Sequence, residues 1–143
     1  MADQHPDDTE LTKTIARYLD AANVGEYRDD GTPFTPGAVA IFYGALGTTP
    51  DRALGIRVYA TTDPLVDPST RRVQIRSRGL PRLPDGADTL AGDVFRVLHR
   101  STQVVGVSQV WRASAAPLGP DTNGRQERTD NYSLILDNPE TLP

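Results

Sequence analysis

"RRVQIRSRG", Arg71–Gly79, carries the sharpest alternation in the chain. Side chains in a strand flip with period two, so Val73 and Ile75 are placed on a core face and Arg72, Gln74, Arg76 and Arg78 on the opposite one. This is a half-buried strand. Upstream, "LGIRVYA" (Leu54–Ala60) alternates in the same way, with Ile56 and Val58 on one face and Arg57 and Tyr59 on the other. The run between them, Thr61–Thr70, holds two Asp-Pro pairs and reads as a surface turn. Further upstream, "AVAIFY" (Ala38–Tyr43) is a short buried strand, preceded by a charged, turn-rich loop over Glu26–Gly37.

The flanks of these strands are helical. From Thr9, apolar Leu11, Ile15, Tyr18, Leu19 and Ala22 recur at three- and four-residue steps; Asp8 or Thr9 is placed to cap the start and Gly25 to end the helix. Downstream, Pro81 and Pro84 break the chain. Pro84-Asp85 then opens a second helix striped by Leu90, Ala91, Val94 and Leu98, with His99 and Arg100 at the end that favours cations. Two strands follow, around Val104–Ala113, with Gly106 as a candidate bulge, and around Tyr132–Leu136. The order is α-β-β-β-α-β-β. Loop-length connections favour an antiparallel or mixed sheet with both helices on one face, an α+β domain with long loops.

A chain of 143 residues is the size of one domain, expected to span 1–143 with tails at 1–8 and 137–143. The hydrophobic share is 37 %, and Gly and Pro contribute 12 each, so a modest core with long connections is expected. With no cysteine, thiolate zinc sites, disulfides and thiol nucleophiles are excluded together. The acidic start "MADQHPDDTE" is unlike a secretory signal, and no apolar run has membrane-spanning length. A soluble chain without membrane attachment is expected.

The chemistry-bearing inventory is thin. The two histidines are His5, in the tail, and His99, at a helix end. No nucleophile elbow, His-Glu-x-x-His or phosphate-binding glycine loop occurs, and the acidic clusters lack calcium-loop spacing. Enzymatic activity, a metal and a cofactor are therefore not expected. Two segments have a functional edge instead. The first is the arginine face with Arg72, Arg76 and Arg78, which is either solvated or lies opposite anions: carboxylates of a neighbouring strand, of another subunit, or phosphates. The second is the polar stretch from Ala116 to Asn138, read as a long charged loop from Gly119 to Asn131 with a tight, positive-φ turn at Asn123-Gly124. It projects Asp121, Asn123, Arg125, Glu127 and Arg128.

Of the 15 basic residues only Lys13 is a lysine. Coding bias and selection of arginine for fixed-geometry pairing with carboxylates both account for that. The formal net charge of −4 and the pI near 5.0 weigh against phosphate binding by the whole surface.

Five strings in this order resemble the tail terminator proteins of long-tailed double-stranded DNA bacteriophages, often labelled minor capsid proteins. They are "LTKTIARYLDAANVGEY", "PDRALGIRVYA", "RRVQIRSRG", "AGDVFRVLHR" and "LGPDTNGRQERTDNYSLIL". The resemblance implies an α+β subunit of a six-fold ring in the virion, assembled in the host cytoplasm. Such a ring caps the tail tube at its correct length and joins the head-completion, or stopper, proteins of the neck. DNA passes through its lumen without sequence-specific binding. It carries over no catalytic residue. What it implies for contacts is the strand with Arg76 to Gly79 and the segment from Gly119 to Asn131, so Arg72, Arg76, Arg78, Asp121, Asn123, Arg125, Glu127 and Arg128 are the expected interface residues, pairing between subunits or rings. Two other readings stay open: a head-closure or adaptor protein of the same neck, and a small nucleic-acid-binding domain.

Overall fold

In the computed structural model, which describes residues 7–137, eight elements follow one another along the chain. They are α1 (Asp8–Ala21), β1 (Glu26–Tyr27), β2 (Ala40–Tyr43), β3 (Ala53–Thr62), β4 (Thr70–Pro81), α2 (Gly86–Leu98), β5 (Val107–Pro120) and β6 (Arg125–Leu136). The six strands form one sheet in the order β1-β2-β3-β4-β6-β5. β1, β2 and β3 run parallel and the other pairs antiparallel, so the sheet is mixed and the class α+β, in the expected order. The two-residue β1 falls inside the segment expected to be loop. The expected tail at 1–6, with His5, and the C-terminal tail from 138 lie outside the described residues.

Alternation builds the core. Leu54, Ile56, Val73, Ile75, Val110, Tyr132 and Leu134 project from one sheet face onto Leu11, Ile15 and Leu19 of α1 and Leu90, Val94 and Leu98 of α2, all buried in a single cluster. Burying each such side chain contributes about 1.5–3 kcal/mol. The hydroxyls of Tyr132 and Ser77 lie within this layer without a hydrogen-bond partner among the described residues.

The termini of α1 differ from expectation. The cap is Asp7, whose Oδ1 accepts the Glu10 amide at 2.7 Å, while Asp8 is the first helical residue and pairs with Arg71. Both residues expected in a tail are thus structural. The left-handed residue after the helix is Asn23 (φ 64°), not Gly25. Gly25 answers a different constraint: a Cβ there would lie 2.8 Å from the Val39 carbonyl oxygen. At the start of α2 the helix touches β4 backbone to backbone, because a Cβ on Gly79 would meet the Gly86 carbonyl carbon at 2.5 Å.

The largest correction concerns the long loop. Gly119–Asn131 is the end of a hairpin of two long strands, with only Asp121–Gly124 left to turn. Asp121 organises the turn, its Oδ1 accepting the amides of Asn123 and Arg125 at 2.9 Å each. Gly124 (φ 73°) is the left-handed residue there, without Asn123. Gly106 (φ 80°) precedes β5 and is not its bulge; the register instead slips around Ser108, Ala113 and Leu118.

β5 is an edge strand, closed at its first half by the exit of α2. The Arg100 amide donates to the Val110 carbonyl at 2.7 Å, and the Arg112 amide donates to His99 Nδ1 at 3.0 Å. His99 therefore acts as an acceptor stacked on Phe95, with ring centroids 4.4 Å apart, where the sequence suggested a cation at the helix end.

Candidate assembly surface

Arg78 and Arg125 are 3 % and 4 % exposed, although one was expected on an open sheet face and the other on a projecting loop. Strand parity does place Arg78 on the face opposite the helices. The segment Thr48–Asp51, which follows β2, folds over it. Arg78 donates Nε to the Asp51 carbonyl (2.8 Å) and a terminal nitrogen to the Pro50 carbonyl (2.7 Å). Arg125 donates to the Thr48 carbonyl (2.7 Å), to Asp51 (3.2 Å) and to Asp121 Oδ2 (2.8 Å). Two guanidinium groups thus clasp one loop. Burial, and then the proximity of Arg125, lower the Arg78 pKa from its ordinary value. Burial raises that of Asp121, but the hydrogen bonds from the Arg125 amide and side chain and from the Asn123 amide outweigh it, so the net shift is downward.

The other charges of the hairpin are also paired within the chain. Arg76 donates Nε to Glu127 at 2.7 Å across β4 and β6. On the helix face, Asp130 is 2 % exposed and sits between Arg128 (2.7 Å) and Arg112 (3.2 Å); Arg128 continues to Asp88 of α2 at 3.0 Å. The hydrogen bond to Asp130 is the main reason the Arg128 pKa is raised. Arg112 lies 4.1 Å over the Phe95 ring. These ties explain how a charged sequence forms a strand: ion pairs stand where apolar cross-strand pairs normally do.

What remains open is the middle of the face opposite the helices. Gln74 donates to Asn131, and Asn131 to Ser114, at 3.3 and 3.0 Å, a hydrogen-bonded rung across three strands. Beside it Arg72 faces Ser133, which faces Trp111 in turn. Arg72 is exposed and makes no ion pair among the described residues. Asn123 is exposed at the hairpin tip. Of the eight expected interface residues, then, Arg72, Arg76, Asn123 and Glu127 border the open surface, while Arg78, Asp121, Arg125 and Arg128 fix its shape.

Two features were not singled out from the sequence. Arg71, 5 % exposed, ties α1 to the β3–β4 loop through Asp8 and Asp63, at 2.7 Å each. Its parity with Val73 and Ile75 was the available signal, since a buried arginine requires carboxylate partners. Leu65 and Val66, at the tip of that loop, are 104 % and 90 % exposed.

Among the described residues no group of three or more His, Asp or Glu is placed to hold a metal ion. No curated protein matches the chain. The family model described as bacteriophage tail terminator protein matches residues 18–138, from the last turn of α1 through β6. That match takes in the arginine clasp, the open sheet face and the hairpin, and the chain belongs to the bacteriophage tail terminator family, whose members are structural proteins of the virion.

Proposed function

We propose that six copies of this chain close into a ring that caps the phage tail tube at its final length and joins it to the head-completion proteins, with DNA passing through the lumen. Family membership supports the setting. The observation that carries the contact argument is the open sheet face. It is a polar surface crossed by a hydrogen-bonded rung, with an exposed Arg72 that makes no ion pair among the described residues; beside it Arg76 and Glu127 are paired with each other, and Arg57, opposite Gln74, lies over the Tyr43 ring. In the proposed ring this arginine pairs with a carboxylate of a neighbouring subunit. Nucleic-acid binding is less well supported, because Arg76 is paired with Glu127 and the chain carries a net charge of −4. Arg72, Arg76, Asn123 and Glu127 are the proposed contacts, held in place by Arg78, Asp121, Arg125 and Arg128.

The test is Arg72→Glu, followed by particle reconstruction, tail-tube capture and duplex-DNA affinity at several salt concentrations. Rings are expected to be lost with the DNA affinity unchanged. Normal rings and tails with weakened DNA binding would refute the assembly role of this face. A single copy or a two-fold pair at this position in wild-type particles would refute the ring.

A further inference from the structure

The two margins of the sheet carry opposite charges that find no partner within the chain. At the β5 margin, residues 99–102 leave α2 and run beside Ser108–Trp111, with a cleft of about 490 Å³ between them. Among the described residues no carboxylate lines it. Its Arg100 is exposed and makes no ion pair there, and His99, whose Nδ1 accepts the Arg112 amide, keeps its proton on the other ring nitrogen as a donor. Arg100 stands at φ 62°, a backbone conformation usually left to glycine or asparagine, and an arginine kept in that position is a sign that its side chain is used. At the β1 margin, the loop after Tyr27 presents Asp30, exposed and without an ion pair among the described residues. Its Oδ1 accepts the Thr32 amide at 3.0 Å and the Thr32 hydroxyl at 2.8 Å, and these bonds, the amide first, hold its pKa below the ordinary value. The carboxylate is thus fixed in place and charged. Most other charges of this margin are paired with one another, Arg28 with Glu26 and Arg17 with Asp29 and Glu10; Asp20 accepts the Tyr27 amide, and Lys13 lies half-buried on α1.

We infer that Asp30 of one copy enters the Arg100 cleft of the next, as an ion pair between ring neighbours. β1 and β5 are the outermost strands of a six-stranded sheet, so at about 4.8 Å per strand they stand roughly 24 Å apart and one chain cannot close this pair on itself. Complementary groups on opposite margins make a head-to-tail contact, which closes into a ring without a two-fold axis. Both groups also lie towards the same end of the sheet. The Arg100 amide donates to Val110, whose row runs through Leu134 and Arg71 to Thr61 near the C-terminal end of β3. Asp30 follows the C-terminal end of β1, which runs in the same direction as β3. The inference rests on the ring assembly proposed above and names a contact in it separate from Arg72.

Exchange of the two charges is the test. Arg100→Asp and Asp30→Arg are each expected to lower ring yield at least ten-fold, and the double variant to restore it, because the exchanged charges meet only between copies. Two milder variants keep folding apart from assembly. Asp30→Asn retains an oxygen for Thr32, and Arg100→Gly relieves the left-handed backbone; both are expected to lower ring yield without lowering Tm. Single charge reversals with rings of normal yield, or a folded double variant no better than its parents, would overturn the pair and leave the ring standing. Normal rings from Arg100→Asp with weakened affinity for duplex DNA would assign the cleft to phosphates and also overturn it. Wild-type particles without a ring would remove the premise itself.

Discussion

Replacing Arg125 with alanine separates an internal tie from an assembly contact. The side chain is 4 % exposed and makes three hydrogen bonds, to Thr48, Asp51 and Asp121. A hydrogen bond to a charged group contributes about 1.5–3 kcal/mol, and leaving a buried acceptor such as a carbonyl unpaired costs about 1–3 kcal/mol. Two effects offset the loss. Water reaches Asp51, whose side chain is 47 % exposed, and Arg78 loses a like-charged neighbour. The net expectation is about 3 kcal/mol, or roughly 10 °C in Tm for a domain of this size. Urea unfolding of the isolated protein, followed by circular dichroism and by the fluorescence of its one tryptophan, Trp111, measures it. Arg72→Ala is the control, expected within about 0.5 kcal/mol of wild type because the residue is exposed and unpaired. A loss below about 1 kcal/mol for Arg125→Ala, equal to the control, would refute the clasp.

Gly79→Ala is expected to destabilise by about 1–3 kcal/mol or prevent folding, because its Cβ would meet the α2 backbone rather than a movable side chain; a wild-type melting curve would contradict this. The lowered pKa of Asp121 means that its contribution is present above the unfolded value of 3.8 and is lost as pH falls through the folded value. Asp121→Asn should therefore be less stable at neutral pH and show a flatter acid limb below about pH 4 in melts taken across pH; an acid limb identical to wild type would count against that assignment. Tyr132→Phe should leave stability unchanged or raise it by up to about 1 kcal/mol, since the hydroxyl it removes is buried and unpaired; a destabilisation above 1 kcal/mol would reveal a partner for that hydroxyl.

The core elements were legible because apolar periodicity is a direct image of one-sided burial. Val73 and Ile75, Ile56 and Val58, and the stripe from Leu90 to Leu98 all lie where their spacing puts them. The second hairpin strand was not legible beyond Tyr132, because Arg125 to Asp130 satisfies its packing with ion pairs and so has no apolar rhythm. The same blindness affected the candidate contacts. Parity places Arg78 opposite the helices, but only the fold shows that Thr48–Asp51 closes over it. Arg71 escaped notice for the complementary reason: an arginine among apolar neighbours looks like a strand edge until its two aspartates arrive from 63 and 8 positions away.

For the ring proposed above, a subunit waiting free before it joins has to avoid polymerising by the wrong route. An open sheet with a 14-residue outer strand is the usual template for uncontrolled stacking. Here that strand is covered at Val110 and Arg112 by the residues leaving α2, kinked by three slips in register, and given Pro117 and Pro120 towards its tip. The opposite margin is only two residues long. With both borders blunted, backbone pairing is a poor way for one copy to grow on another. Association is left to side chains on faces and loop tips, where geometry can limit the number of subunits.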